Sequence, residues 1–233
     1  MDWIQEYQLF LFDLDGLLVN TEEIHYRAYC EMCKGRGYKL PWSFSEYFRI
    51  AQLDAKAPER HIYAAFPKLQ QKEPNWAVLY AEKKSAYLRL LQEEPAPLLP
   101  GADAMLALLA KAQKKRAVVT HSAKELVTLL RKQNPVLDTI PHWFTREDYS
   151  QPKPAPDGYL KAIEVLAAPQ DKIIGFEDSL RGMNSLMATP AKPIFINSID
   201  EETRKYFREK GVATFSSFTD LLGIGTATPE CQA

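Results

Sequence analysis

Four apolar residues, Leu9 to Phe12, run directly into Asp13-Leu14-Asp15-Gly16, so a buried strand is predicted to end at an acidic loop. From Glu22 to about Arg36 the apolar positions fall at helical spacing, and Gly35 and Gly37 mark the stop. Between Trp42 and about Glu94 no strand pattern occurs. Helices are predicted there over Phe44 to Ala51, Glu59 to Phe66 and Trp76 to Gln92. The segment Glu94-Pro95-Ala96-Pro97-Leu98-Leu99-Pro100-Gly101 reads as a stiff connector, because proline restricts the backbone and interrupts helices. Beyond it the pattern alternates. Helices are predicted over Ala102 to Gln113, Ala123 to Gln133, Pro156 to Ala167, Ser179 to Met187 and Glu201 to Glu209. Strands are predicted over Ala117 to Thr120, Trp143 to Thr145, Lys172 to Phe176, Pro193 to Ile196 and Ala213 to Phe215.

Such alternation predicts an α/β fold, a Rossmann-like parallel sheet with helices on both faces. The strand Leu9 to Phe12 finds partners only after the helical block, so that block reads as an all-helical cap inserted into the core. The expected division is residues 1–21 and 96–222 for the core and 22–95 for the cap. Residues 223–233 have little to bury and are expected to be a disordered tail. Ligands of open parallel sheets bind at the carboxyl ends of the strands. Asp13/Asp15, Thr120/Ser122 and Glu177/Asp178 each follow an apolar strand, so the fold would gather them at one edge.

Charge narrows the partners. With 29 Lys+Arg against 30 Asp+Glu the net charge is -1, which leaves no bulk field for nucleic acid or anionic membrane. No run approaches the roughly 18 apolar residues of a membrane span, and the opening lacks the cationic flank of a secretory signal, so a cytoplasmic location is expected. The spacing of Cys30 and Cys33 invites a metal reading. No second pair completes four ligands, and the two are read as helix-packing residues. A monomer or weak dimer is expected.

Two carboxylates two residues apart, Asp13 and Asp15, crowd like charge unless a cation compensates it. Glu177 and Asp178 could complete an oxygen-rich site for Mg²⁺. Lys153, flanked by Pro152 and Pro154, sits in a loop that can aim an ammonium at a phosphate oxygen. Thr120 and Ser122 could add hydroxyl and backbone donors at the start of the next helix.

The order of these segments, FLFDLDGLLVNTEE, VVTHSAKEL, SQPKPAPDGYLKAI and KIIGFEDSLRGMNSL, resembles the haloacid dehalogenase superfamily of phosphatases. The likeness is to the branch with a helical cap, which includes phosphoglycolate phosphatase and beta-phosphoglucomutase. The resemblance implies that Asp13 attacks phosphorus to form an aspartyl-phosphate and that Asp15 is its acid/base partner. It implies Mg²⁺ held by Asp13, Asp178 and the backbone carbonyl of Asp15, with Glu177 a ligand or a supporting residue. Thr120, Lys153 and Ser122 would hold the phosphoryl group, and His121 between them would contribute to that pocket or tune specificity. Asp15 argues against a dehalogenase, because a halide leaves without a proton. His25 on the first helix resembles a histidine often seen in capped relatives. Arg49, Lys56 and Arg60 are cap candidates for substrate contact. The expected activity is hydrolysis of a small phosphorylated metabolite. The alternatives are a sugar phosphomutase and a non-catalytic binding protein on the same fold.

Overall fold

The computed structural model describes residues 2–53 and 56–223. Apart from Gly223, the expected tail lies outside the described residues, as does Cys231. Six strands form one sheet: β1 (Leu9–Phe12), β2 (Lys115–Val119), β3 (His142–Phe144), β4 (Ile173–Glu177), β5 (Lys192–Ile196) and β6 (Ala213–Phe215). Their order is β3-β2-β1-β4-β5-β6, and every neighbouring pair is parallel, as the alternation predicted. The chain builds outward from β1 to β3, then crosses back to β4 and builds the other way. The direction therefore reverses between β1 and β4, where such sheets open a crevice.

The helices are α1 (Glu22–Gly35), α2 (Phe44–Leu53), α3 (Ala57–Ala65), α4 (Pro67–Lys72), α5 (Trp76–Glu93), α6 (Ala102–Lys111), α7 (Lys124–Gln133), α8 (Asp157–Leu166), α9 (Leu180–Met187), α10 (Glu201–Glu209) and α11 (Phe218–Leu221). All four residues of β1 are buried, which is why its sequence is continuous rather than alternating. Phe10 and Phe12 pack on one face with Val118, Met105, Leu109, Leu130 and Phe218. Leu9 and Leu11 pack on the other with Ala117, Val119, Tyr159 and Leu186.

Helices α1 to α5 follow β1 and have a cluster of their own, built on Tyr29, Met32, Cys33, Tyr47, Ile62, Tyr63 and Leu79. Trp42, Phe44 and Trp76 pack against it. Cys30 and Cys33 are free thiols, Cys33 buried in this cluster. Ile24 and Ala28 of α1 and Tyr87, Leu90 and Leu91 of α5 belong instead to the sheet's core. These two helices therefore carry the inserted block on the sheet. The proline-rich connector runs beside the outgoing chain: Asn20 N–H donates to Pro97 O at 2.8 Å and Leu99 N–H to Leu18 O at 2.9 Å. Among the described residues no helix is long and apolar enough to cross a membrane.

Candidate active site

Register brings the acidic loops together. Phe12 lies opposite Val118 on one side and Phe176 on the other, so Asp13 follows at the level of Val119 and Glu177. The rings of Phe12 and Phe176 stack at 5.0 Å and 11°, with Phe218 at 6.0 and 5.6 Å from them. Asp13 N–H donates to Phe176 O at 3.1 Å, and Asn197 Nδ2 donates to Asp178 O at 2.9 Å. Backbone bonds and aromatic packing thus fix both strand ends.

Lys153 is the hub. Its Nζ donates to Asp13 Oδ1, to Glu177 Oε1 at 2.6 Å and to Val119 O at 2.9 Å. The three side chains are almost wholly buried. Burial raises the Asp13 carboxyl to about 7, against the pull of Lys153 and with the push of Glu177 and Asp15. Asp178 is driven well above the carboxylate range by burial and then by the charges of Asp13 and Glu177. Burial alone would lower Lys153, but the two carboxylates it touches outweigh that and hold it above its ordinary value.

Asp15 is held by hydroxyls. Its Oδ1 accepts from Thr21 Oγ1 at 2.9 Å, and its Oδ2 accepts from Thr120 Oγ1 at 3.1 Å and Ser122 Oγ at 2.7 Å. Tyr149 OH donates to Thr120 O at 2.8 Å and pins that strand end. Gly16 has a φ of 82°, and a Cβ there would lie 2.3 Å from Asp178 Oδ2, so glycine is needed for the loop to fold over that carboxylate.

One carboxylate oxygen each from Asp13, Glu177 and Asp178 lie within 4.8 Å of one another, all three residues being buried. A hard divalent cation suits such oxygen donors, and the tighter hold of Asp13 and Asp178 on their protons is what its charge would reverse. The residues present therefore fit Mg²⁺.

The sequence candidates divide. Asp13, Asp15, Thr120, Ser122, Lys153, Glu177 and Asp178 share the cluster. The hydroxyls of Thr120 and Ser122, expected to face a phosphate, here donate to Asp15. His121 is exposed, as are Arg49 on α2, Lys56 just before α3 and Arg60 on α3, and none of these four joins the hydrogen-bonded cluster around Asp13 and Asp15. His25 faces a partner that sequence reasoning missed: Lys83 of α5, whose Nζ is 2.6 Å from His25 Nδ1. The His25 ring stacks on Tyr87 at 4.0 Å and 7°. Burial, then the positive charges of Lys83 and Arg181, hold His25 well below its ordinary value, which favours the neutral imidazole. Burial pulls Lys83 down to about 7, with Glu22 and Asp15 only partly opposing. Burial also raises Glu22 to about 7, Arg181 opposing it and Asp15 adding to it. The signal for Lys83 was present: it falls on the apolar stripe of α5, four residues after Leu79 and four before Tyr87. Tyr159, also missed, carries its hydroxyl on an otherwise apolar stripe of α8 and donates to Glu177 Oε1 at 2.6 Å.

Comparison with known proteins gives the family. The chain is 26% identical over 200 residues to Protein CbbY of Rhodobacter capsulatus, covering 83% of this chain and 86% of that one. It is 30% identical over 190 residues to Hexitol phosphatase A of Escherichia coli (strain K12), covering 81% and 82%. The crystal structure of CbbY from Rhodobacter sphaeroides in complex with phosphate superposes with a TM-score of 0.72 at 22% identity, covering 92% of this chain and 96% of that one, which is a likeness of fold. The family model for haloacid dehalogenase-like hydrolases matches residues 10–195, from the second residue of β1 to within β5, and the chain belongs to that family.

Proposed function

We propose that this protein is a Mg²⁺-dependent phosphatase of a small phosphorylated metabolite. Asp13 is its nucleophile and Asp15 its general acid and base. The observation that carries the reading is the buried cluster at the sheet's switch point: Asp13 bonded to Lys153, with Glu177 and Asp178 beside it and Asp15 one turn of loop away. In the first step an Asp13 oxygen bonds to phosphorus while the ester P–O bond breaks, and Asp15 delivers its proton to the departing oxygen. In the second, Asp15 takes a proton from water, the water oxygen bonds to phosphorus, and the acyl-phosphate bond breaks to return Asp13 and release phosphate. Lys153 exchanges its bond to Asp13 for one to a phosphoryl oxygen as substrate enters. Thr120 and Ser122 turn Asp15 toward the reacting oxygen through the bonds they already make.

Asp13, Asp178 and the carbonyl of Asp15 would hold Mg²⁺. When bound, the ion lowers the repulsion between an anionic nucleophile and an anionic phosphoryl group. Residues 22–95 serve as a lid over a core of residues 1–21 and 96–222, which limits substrates to small molecules. The reading includes a cytoplasmic location, which suits the free thiols of Cys30 and Cys33. The test is release of inorganic phosphate from a panel of phosphate monoesters with Mg²⁺ and with EDTA. Release that needs Mg²⁺ supports the phosphatase. Isomerisation of a hexose 1-phosphate with negligible phosphate release replaces it with a phosphomutase, and no turnover across the panel leaves only a binding protein on this fold.

A further inference from the structure

Arg181 stands in the first turn of α9, shortly after Asp178, and nothing in the fold rewards a cation there. That turn is the positive end of the helix and carries no acidic residue. Its neighbours are committed: Leu180 packs against Phe195 and Phe207, Gly182 leaves the room that Glu177 occupies, and Ser185, one turn on, donates to Ala155 O at 2.7 Å in the loop of Lys153. Arg27, Arg36, Arg89, Arg131, Arg204 and Arg208 each hold a carboxylate. Arg181, half-buried, has no hydrogen bond or ion pair among the described residues. It stands at the seam where α2 packs on α9 and where Glu22 Cγ comes within 3.5 Å of the point at which a side chain on Gly16 would begin.

The charge of Arg181 is felt by Glu22, His25 and Tyr29 of α1, by Tyr47 of α2 and by His121 beyond β2, as a guanidinium in the crevice between the sheet and the inserted helices would be. Lys83, another cation of this seam, is bonded to His25 and drawn by burial to about 7, whereas a guanidinium keeps its charge. We propose that Arg181 binds a second anionic group of the substrate, a carboxylate or a further phosphate, and so selects which phosphate monoesters this protein takes. The proposal rests on the phosphatase reading above, in which Lys153 already serves the transferred phosphoryl group. A planar guanidinium fork matches two oxygens of either anion, and a partly desolvated one without a partner gains most from being paired. A substrate that offers only a hydroxyl there leaves the charge uncompensated.

The test is phosphate release by the full chain with Mg²⁺, measured as kcat/KM for two pairs of probes that differ by one anion: 3-phosphoglycerate against glycerol 3-phosphate, and fructose 1,6-bisphosphate against fructose 1-phosphate. The readout is the ratio within each pair, which a loss of folding or of shared chemistry leaves unchanged because it acts on both members. Wild type is expected to favour the anionic member of one pair by about tenfold or more, the first pair for a carboxylate site and the second for a phosphate site. Arg181→Gln is expected to bring that ratio to within about threefold of unity, through KM, and Arg181→Lys to keep part of it, since an ammonium supplies the charge without the fork. Arg146→Gln is the control: Arg146 is exposed, its N–H donates to Ser122 O at 3.3 Å and its charge also reaches His121, so it reports a diffuse field and not a contact. It should change the ratio by less than about twofold. No preference in either pair, a preference that survives Arg181→Gln, or an equal loss in Arg146→Gln overturns the proposal. Wild type inert toward all the probes ends the phosphatase reading and this proposal with it, whereas release without such a preference ends this proposal alone.

Discussion

Two lysines of this chain are buried to a similar degree and answer burial in opposite ways. Lys153 touches the carboxylates of Asp13 and Glu177 and is held above its ordinary value. Lys83 touches a neutral imidazole and lies over the rings of Tyr29 and Tyr87 at 4.9 and 5.0 Å, and it falls to about 7. Desolvation favours the neutral amine in both cases. What decides the sign is whether a carboxylate is in direct contact, since the charges that act on Lys83, Glu22 and Asp15, do so without a hydrogen bond to it. The core cluster thus keeps its lysine charged, and the seam between core and inserted helices favours the neutral amine.

That contrast is sharpest at Asp13, the proposed nucleophile. Asp13→Asn is expected to lower phosphate release by about 10³-fold or more, with circular dichroism unchanged, because the amide is nearly isosteric but a poor nucleophile. Undiminished release would remove Asp13 from the chemistry. Chelation should act almost as strongly on the wild type: turnover in EDTA falls to background and returns when Mg²⁺ is added in excess, whereas activity indifferent to EDTA would end the cation's role.

Lys153→Ala comes next, with kcat/KM expected to fall about 10²- to 10³-fold through loss of a preorganised charge at the phosphoryl group. The same variant leaves two buried carboxylates facing each other, and chemical denaturation at neutral pH should register a loss of about 3–5 kcal/mol. Unaltered kinetics and stability would show that the core does not depend on this pair.

Lys83 predicts a smaller effect with a distinctive pH dependence. Unfolded, its amine holds a proton up to about 10.5, and folded it releases it near 7. Between those values the unfolded chain binds the extra proton, so the group's contribution to stability grows as pH rises. Wild type should therefore gain on Lys83→Met by about 2 kcal/mol between about pH 7 and 9, read from paired denaturation curves. A difference that stays flat over that window would mean the lysine is charged in the folded protein. Least is expected of Arg89, exposed and paired with Glu31 and Glu93 along the surface of α1 and α5. Arg89→Gln should leave the denaturation midpoint almost where it is, and still less changed in high salt, whereas a clear loss would mean that these surface pairs help hold α1 against α5.

How much of this was legible in the sequence follows the same divide. The carboxylates at the ends of β1 and β4 stand out because each ends a run of mostly apolar residues, and a parallel sheet collects such endings at one edge. The helices of the inserted block were placed to within a few residues by their periodicity. α4 was missed because Pro67–Lys72 contains a single buried apolar residue, Leu69, and α11 because its four residues are too few to show a period. Inside the cluster, the partners of each group were out of reach. Nothing in VVTHSAKEL tells whether the hydroxyls of Thr120 and Ser122 turn to Asp15 or to a ligand, since that choice is a rotation about one bond. Lys83 was visible only as a charge in an apolar stripe, and long amphipathic helices often place lysine stems along such stripes. A neutral tyrosine hydroxyl such as that of Tyr159 leaves no trace in a hydropathy pattern.

The paired backbone segments at Leu18 to Asn20 and Pro97 to Leu99 have a consequence for how this molecule is put together. The chain leaves the sheet and returns to it through two adjacent doorposts, so the 76 positions between Asn20 and Pro97 occupy the place of one short surface loop. Closing a loop at a fixed gap costs little more as the loop lengthens. The inserted block, the proposed lid, is therefore expected to be exchangeable for another of different size by splicing at those doorposts, with the acidic cluster of the sheet left in place.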